Sequence, residues 1–195
     1  MDMVEFELYQ RILSQELRPA NQTLLKEIKL DKPHTATVVS NGIGEYVLYR
    51  LDCDEKDWLP FFNKVHNSQN HTVPFPTPKY LRSFCDYILL VSRQEKLYVL
   101  LVEMKSGDHA HSDAARQLEA SAAFMDYIRL TADRICRYND YNTFDSNCIK
   151  MRKVILKPCP KTRPKTNIAK DSSINWDADT VVIPGNTLPL LKLCH

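Results

Sequence analysis

Two apolar runs separated by a short polar stretch constrain the fold of this chain more than any other feature. The first run covers residues 84–91, interrupted only by Asp86, and the second covers residues 97–102. Near-continuous apolar runs of this length are typical of strands that are buried on both faces. The runs therefore predict a β-hairpin in a central sheet, with its turn in the polar residues 92–96.

The flanking segments carry the periodicities of helices and further strands. Residues 4–17 repeat apolar side chains about every fourth position and predict an amphipathic helix, and residues 112–137 predict a long one. The other predicted elements are a short helix over 23–30, a hairpin that joins strands over 35–40 and 45–51, a short helix over 57–65, and strands over 150–157 and 180–183. This order predicts an α/β fold with a mixed central sheet flanked by helices.

Length and charge bound the organisation of the chain. The 195 residues suffice for one well-buried domain and are few for two. We therefore predict a single domain over 1–195, with an N-terminal elaboration over 1–70, a core over 81–157, and a basic loop and C-terminal strands over 158–195. The formal net charge of +2 is too small to indicate nucleic-acid binding, so such binding would require local clustering of cations.

Leader and cysteine patterns predict the compartment. No apolar run is long enough to span a bilayer, and the first five residues lack the basic-then-apolar order of a secretory signal. The six cysteines are widely spaced and include no C-x-x-C pair, which favours reduced thiols over disulfides. We expect a cytoplasmic location and no membrane partner.

Three charged residues stand where the central apolar runs end. If the hairpin turn is symmetric about Gln94 and Glu95, Asp86 faces Glu103 across the strand pair. Side chains of directly opposed residues lie on the same face of a sheet, with Cβ atoms about 5 Å apart. Because side chains alternate along a strand, Lys105 shares that face with Glu103. The E-x-K pattern is weak alone, since residues 27–29 and 54–56 also match [DE]-x-K, and it is the placement that separates Glu103 from these matches.

The opposed acids predict a metal site. Two adjacent carboxylates repel one another unless a cation lies between them. All-oxygen ligation by Asp86 and Glu103 suits Mg²⁺ or Mn²⁺, which activates water and neutralises charge on a scissile phosphate. Lys105 would orient that water or stabilise the transition state. The alternative without a metal site is a hairpin whose ends simply reach the surface, where Lys105 neutralises one carboxylate.

The arrangement over residues 81–157 resembles the core of the PD-(D/E)xK nucleases. Asp86 matches the first metal-binding acid of the family, Glu103 the second acid and Lys105 the catalytic lysine, whereas Cys85 stands where proline often precedes the first acid. The resemblance implies a restriction-endonuclease-like αβββαβ core. It also implies that the backbone carbonyl of Met104 completes the metal shell.

The RecB-like variant of the family also places a glutamine on the next helix in a Q-x-x-x-Y pattern. Here Gln117 is followed by Ser121, so the glutamine is present and the tyrosine is not. We predict that Gln117 joins the catalytic group, with a solvated helix flank as its alternative role. An additional acid from the first helix is frequent in the family, and the sequence does not choose between Glu16 and Glu27.

The resemblance implies Mg²⁺- or Mn²⁺-dependent hydrolysis of phosphodiester bonds in nucleic acid, with DNA favoured over RNA. A cluster of cations in and before the basic loop would contact the phosphate backbone and make binding salt-dependent. It contains Lys157, Lys161, Arg163 and Lys165. Such a run also occurs on solvated faces.

Two further alternatives concern function and targeting. The chain would also suit a nucleic-acid-binding or assembly subunit that keeps the nuclease fold without cleavage. Since no helicase or specificity domain is recognisable, there is room for a protein partner that supplies targeting. His109 and His111 suggest a zinc site only weakly, because no second pair has matching spacing.

Overall fold

The computed structural model describes residues 4–27, 34–51, 84–105, 111–138, 145–158, 175–176 and 180–195. These residues form a mixed α/β structure with two mixed sheets and three α-helices. The helices are α1 (Val4–Ile12), α2 (His111–Tyr138) and α3 (Leu190–Leu193). The strands are β1 (Leu24–Lys26), β2 (Thr35–Val39), β3 (Glu45–Arg50), β4 (Tyr87–Arg93), β5 (Lys96–Met104), β6 (Ile149–Lys157), β7 (Asn175–Trp176), β8 (Thr180–Pro184) and β9 (Thr187–Pro189). The predicted α/β class and mixed central sheet are confirmed.

The larger sheet has six strands in the order β3-β4-β5-β6-β8-β7. Strands β3, β4 and β5 form an antiparallel meander, whereas β6 and β8 run parallel to β5. A parallel pair needs a crossover connection, and α2 lies in the crossover between β5 and β6. The strands β5, β6 and β8 therefore end on the same side of the sheet, which we call the carboxyl end.

The central hairpin has the register that the sequence predicted. Tyr87 faces Val102 next to the carboxyl end, and Arg93 faces Lys96 next to the turn. The turn residues Gln94 and Glu95 have φ angles of 50° and 58°. Positive φ at both central positions defines a two-residue type I′ turn, whose twist matches that of the flanking strands.

Alternation along β4 and β5 sends their side chains into two hydrophobic clusters, one on each face of the sheet. The helix-side cluster packs Ile88, Leu90, Val99 and Leu101 against α1 and α2. The opposite cluster packs Leu89, Val91, Leu100 and Val102 against the smaller sheet and α3. Burial on both faces explains why the two sequence runs are apolar at nearly every position.

The smaller sheet corrects the predicted helix over 23–30. Leu24–Lys26 forms β1, which pairs antiparallel with β2, and residues 28–30 lie outside the described residues. Leu25 is fully buried in the cluster on the face of the larger sheet opposite α1 and α2, while its neighbours Leu24 and Lys26 are exposed. Burial of alternate residues and pairing with β2 outweigh the local helical pattern.

The predicted hairpin over 35–51 is correct in its strands and wrong in its pairing. Strand β2 lies between β1 and β9 in the smaller sheet, whereas β3 pairs with β4 in the larger one. In the loop between β2 and β3, Gly42 has a φ of 77° and the Ile43 N–H donates to the Ser40 carbonyl. The Asn-Gly turn therefore carries the chain from one sheet to the other.

The predicted N-terminal helix divides into two pieces. Helix α1 ends at Ile12, and a 3-10 turn over Gln15–Leu17 follows, with the Ser14 hydroxyl accepting from the Glu16 N–H. The predicted helix over 57–65 lies outside the described residues. Within the described ranges, no helix combines the length and apolar character needed to cross a membrane.

Candidate active site

Asp86 and Glu103 lie next to each other at the end of the central hairpin farthest from its turn. This is the carboxyl end of the larger sheet. The Asp86 N–H donates to Glu103 Oε2 over 3.1 Å, and the Met104 N–H donates to Asp86 Oδ2 over 2.7 Å. Each carboxylate therefore accepts from the backbone of the opposite strand. These reciprocal bonds hold the two acids side by side, one residue beyond the last paired positions, Tyr87 and Val102.

Lys105 connects the acids to helix α2. Its Nζ lies 2.5 Å from Glu103 Oε1 and donates to Gln117 Oε1 over 2.8 Å. Its backbone N–H donates to the Leu156 carbonyl over 3.0 Å, which extends the β5–β6 pairing past Met104. The lysine therefore lies on the helix side of the sheet, on the face it shares with Glu103.

Gln117 lies inside this group. Its Nε2 donates to the Phe84 carbonyl over 3.2 Å while its Oε1 accepts from Lys105. The side-chain amide thus holds both the segment that leads into β4 and the lysine at the end of β5. Gln117 is therefore placed together with Lys105, and its part in catalysis stays a prediction.

Ser121 is a site residue that sequence reasoning missed. It is fully buried one helical turn after Gln117, and its hydroxyl accepts from the Cys85 N–H over 2.8 Å and donates to the Gln117 carbonyl over 2.9 Å. The serine therefore fixes the residue immediately before Asp86. The usable signal was the four-residue spacing from Gln117, which places both side chains on one helix face.

Burial and charge make this site electrostatically unusual. Glu103 is only 1% exposed and Asp86 only 8% exposed. Burial raises the pKa of Glu103 from its ordinary value of 4.5, the charge of Asp86 raises it further, and Lys105 lowers it, with a net pKa of about 8. Lys105 therefore compensates only part of the negative charge that two ionised carboxylates would carry.

The donor set fits Mg²⁺ or Mn²⁺. Both side chains offer hard oxygen ligands, and the incompletely compensated charge favours an additional cation. Among the residues that the structure describes, no group of three or more His, Cys, Asp and Glu side chains is placed to hold a metal ion. Two carboxylates suffice for Mg²⁺, which keeps several waters and commonly binds through one or two carboxylates plus substrate phosphates.

Lys157, predicted to contact nucleic acid, lies next to the site. Glu103 faces Ile155 and Met104 faces Leu156 across the β5–β6 pair, so the same register puts Lys157 beside Lys105. Residues in register on parallel strands point to the same face. The other predicted contacts, Lys161, Arg163 and Lys165, lie outside the described residues.

The remaining candidates are spread over the chain. Glu16 is exposed in the 3-10 turn, and Glu27 follows β1 of the smaller sheet, so the choice between them stays open. His109 lies outside the described residues, and His111 is the first residue of α2. The described cysteines are free thiols, namely Cys85, Cys136, Cys148 and Cys194.

Comparison of the chain with protein-family models, with curated proteins and with solved structures finds no match. An activity for this chain is therefore inferred from the geometry and electrostatics of the site.

Proposed function

We propose that this protein is a PD-(D/E)xK-type nuclease that uses Mg²⁺ or Mn²⁺ to hydrolyse phosphodiester bonds of nucleic acid. The observation that carries the proposal is the joining of two buried acids and two half-buried side chains in one hydrogen-bonded group at the carboxyl end of the sheet. These residues are Asp86, Glu103, Lys105 and Gln117.

The order of the elements supports the proposal. Helix α1, the meander β3-β4-β5, helix α2 and strand β6 follow the αβββαβ order of a restriction-endonuclease-like core, with β6 parallel to β5. Strands β1, β2 and β7 to β9 would then be additions to that core. The candidate site lies on the second and third strands of this order, where the nuclease family carries its acids and lysine.

In the proposed reaction Asp86 and Glu103 would hold the metal ion, and the Met104 carbonyl is a further candidate ligand. A bound ion would acidify a water molecule and neutralise charge that develops on the scissile phosphate. Lys105 directs its ammonium group to that water or to the transition state. Gln117 restricts where the ammonium group points, because its own amide is tethered to the Phe84 carbonyl.

The proposed substrate is nucleic acid, with DNA favoured over RNA. Lys157 would contact a phosphate next to the scissile one, since it lies beside Lys105 at the end of the neighbouring strand. A protein partner that supplies targeting and a cytoplasmic location both stay predictions.

Cleavage assays with labelled single- and double-stranded DNA and RNA test the proposal. We expect cutting in Mn²⁺ or Mg²⁺ and none in EDTA, with Asp86→Ala and Lys105→Ala each lowering the rate about 100-fold or more. Lys153→Ala is the matched control, because Lys153 makes a 2.5 Å ion pair with Glu119 elsewhere on the same sheet face. No cutting of any substrate, together with no thermal stabilisation by metal, would reject the enzyme.

The second candidate is a nucleic-acid-binding subunit that keeps the fold without cleavage. It is favoured by one observation, namely that both oxygens of Glu103 already accept bonds from within the chain. A pure binder would keep its affinity for nucleic acid in chelator and after Asp86→Ala, and it would lose affinity after Lys157→Ala.

A further inference from the structure

The two oxygens of Glu103 have different partners. Oε2 accepts the Asp86 N–H at 3.1 Å, a backbone donor next to the paired strands β4 and β5. Oε1 lies 2.5 Å from Lys105 Nζ, at the end of a flexible side chain. A cation that approaches Glu103 through Oε1 therefore meets an ammonium group already there.

Lys105 also has a second partner, to which its ammonium group can stay bonded when it leaves Glu103. Gln117 Oε1 accepts from the ammonium group at 2.8 Å, and the Phe84 carbonyl anchors the Gln117 amide. An ammonium group carries three donors on a rotatable stem, so it exchanges one acceptor for another at low cost. The Lys105 side chain is 19% exposed, so water is also available to it.

We propose that Lys105 is an internal counter-ion that competes with the divalent metal for Glu103. Without metal the ammonium group of Lys105 stays at Glu103 Oε1, and on metal binding it leaves that oxygen while keeping its bond to Gln117. The site thus withholds its lysine from substrate until the metal is bound. This inference rests on the proposed metal site.

The physical reason is charge repulsion in a buried place. Glu103 and Asp86 are almost fully removed from water, so charges near them interact more strongly than at the surface. A monovalent ammonium group and a divalent ion cannot both contact Oε1 without strong mutual repulsion. Binding of the metal must therefore include the cost of displacing Lys105 from its ion pair.

The test is calorimetric titration of the full-length chain with Mn²⁺ alone. We expect Lys105→Met to bind Mn²⁺ about 10-fold more tightly than the wild type, because the competing charge is gone. Lys105→Arg keeps the charge and is expected to bind no more tightly than wild type. Titrations at pH 7 and pH 9 separate this effect from proton competition at Glu103, which weakens as pH rises.

Lys153→Met is the matched control. Lys153 pairs with Glu119 at 2.5 Å, and its side chain is 16% exposed against 19% for Lys105. The substitution therefore removes the same charge from the same face of the sheet, in an ion pair whose acid, Glu119, is 68% exposed where Glu103 is 1% exposed. We expect its Mn²⁺ affinity to match that of the wild type, since a general loss of positive charge is not the cause.

The outcomes are distinguishable from those of the nuclease proposal. Equal or weaker Mn²⁺ binding by Lys105→Met at both pH values overturns the competition, even if the wild type cuts nucleic acid. Absence of Mn²⁺ binding by the wild type and all variants overturns the metal site and the competition together.

A measurement on the wild type keeps the inference testable if Lys105→Met fails to fold. Amine-reactive labelling read by peptide mass spectrometry should modify Lys105 faster with Mn²⁺ than without it, while Lys153 labels at an unchanged rate. Slower or unchanged labelling of Lys105 in saturating Mn²⁺ contradicts the release.

Discussion

At the scale of single residues, the candidate site depends on polar groups that are buried and bonded. Asp86 and Glu103 accept backbone N–H groups across the hairpin, and Ser121 accepts one from Cys85. A buried polar group contributes favourably only while its partner is present. Two substitutions therefore probe this group without reference to cleavage.

The first substitution, Glu103→Gln, tests how the stability of the fold depends on pH. Because the pKa of Glu103 is raised to about 8, the folded chain binds a proton that the unfolded chain has released between pH 5 and pH 8. That contribution to stability is fully present below pH 4.5 and is lost as pH rises through 8. In metal-free buffer we expect the free energy of unfolding to fall over this range by on the order of a few kcal/mol more in wild type than in Glu103→Gln.

Urea denaturation at a series of pH values measures this difference. Glu45→Gln, at an exposed strand position, is the control and should keep the wild-type pH profile. Parallel profiles for wild type and Glu103→Gln would show that Glu103 is ionised at neutral pH without metal.

The second concerns the buried hydroxyl. Ser121→Ala leaves the Cys85 N–H without its acceptor in a buried place, and we expect a loss of about 1–3 kcal/mol in the free energy of unfolding. Ser146→Ala, in an exposed 3-10 turn, should change it by less than about 0.5 kcal/mol. Equal effects of the two substitutions would contradict the role of Ser121 in fixing the start of β4.

At the scale of elements, the central hairpin was predictable and the small sheet was not. The register of β4 on β5 followed from the symmetry of apolar residues about the turn, and it is confirmed from Tyr87 to Arg93. Strand β1 was interpreted as helix, because three residues are too few to establish a strand pattern. The pairing of β2 with β9 joins residues about 150 positions apart, and no local pattern encodes it.

The turn of the central hairpin makes the third prediction. Gln94 and Glu95 both have positive φ, a conformation that glycine and asparagine adopt more readily than glutamine or glutamate. The double substitution Gln94→Asn with Glu95→Gly should therefore raise the free energy of unfolding by about 1 kcal/mol. The measurement is urea denaturation.

Lys96→Gly is the control for this turn. Lys96 is exposed in β5 next to the turn, where glycine weakens a strand, so the control should lower stability. A higher free energy of unfolding for Lys96→Gly, or a lower one for the turn variant, would show that the turn geometry does not limit stability there.

At the scale of the whole molecule, one sheet organises two hydrophobic clusters on its opposite faces. Helices α1 and α2 close one cluster, and the smaller sheet with α3 closes the other. The candidate site belongs to the helix side only. Stability and site chemistry should therefore be separable, because the side chains of the far cluster lie on the opposite face of the sheet from those of the site residues.

The fourth prediction uses adjacent leucines of β1. Leu25 is fully buried in the far cluster, and Leu25→Ala should lower the free energy of unfolding by about 2–5 kcal/mol. Leu24 is 40% exposed, so Leu24→Ala should cost less than about 1 kcal/mol. Below its melting temperature Leu25→Ala should keep the Mn²⁺ affinity of the wild type, and a weaker affinity would show that the two faces are coupled.

The grouping of the three charged residues was easier to predict from sequence than the residues that surround them. Asp86, Glu103 and Lys105 were placed together by hairpin symmetry and strand alternation, which are properties of neighbouring residues. The bond between Lys105 and Gln117 and the buried hydroxyl of Ser121 depend on how α2 packs on the sheet. That packing angle is set by side-chain shape over many residues, which periodicity does not specify.

The crossover through α2 also keeps the site residues close together in sequence, which affects when the site can form during folding. The residues that form it come from a single hairpin and the helix that follows, so it is assembled by contacts between near neighbours in sequence. Closing short loops costs little entropy and is fast, whereas the pairing of β2 with β9 must wait for nearly the whole chain. The candidate catalytic group therefore belongs to a unit whose contacts can form early in folding. The smaller sheet, with its long-range pairing, would form later.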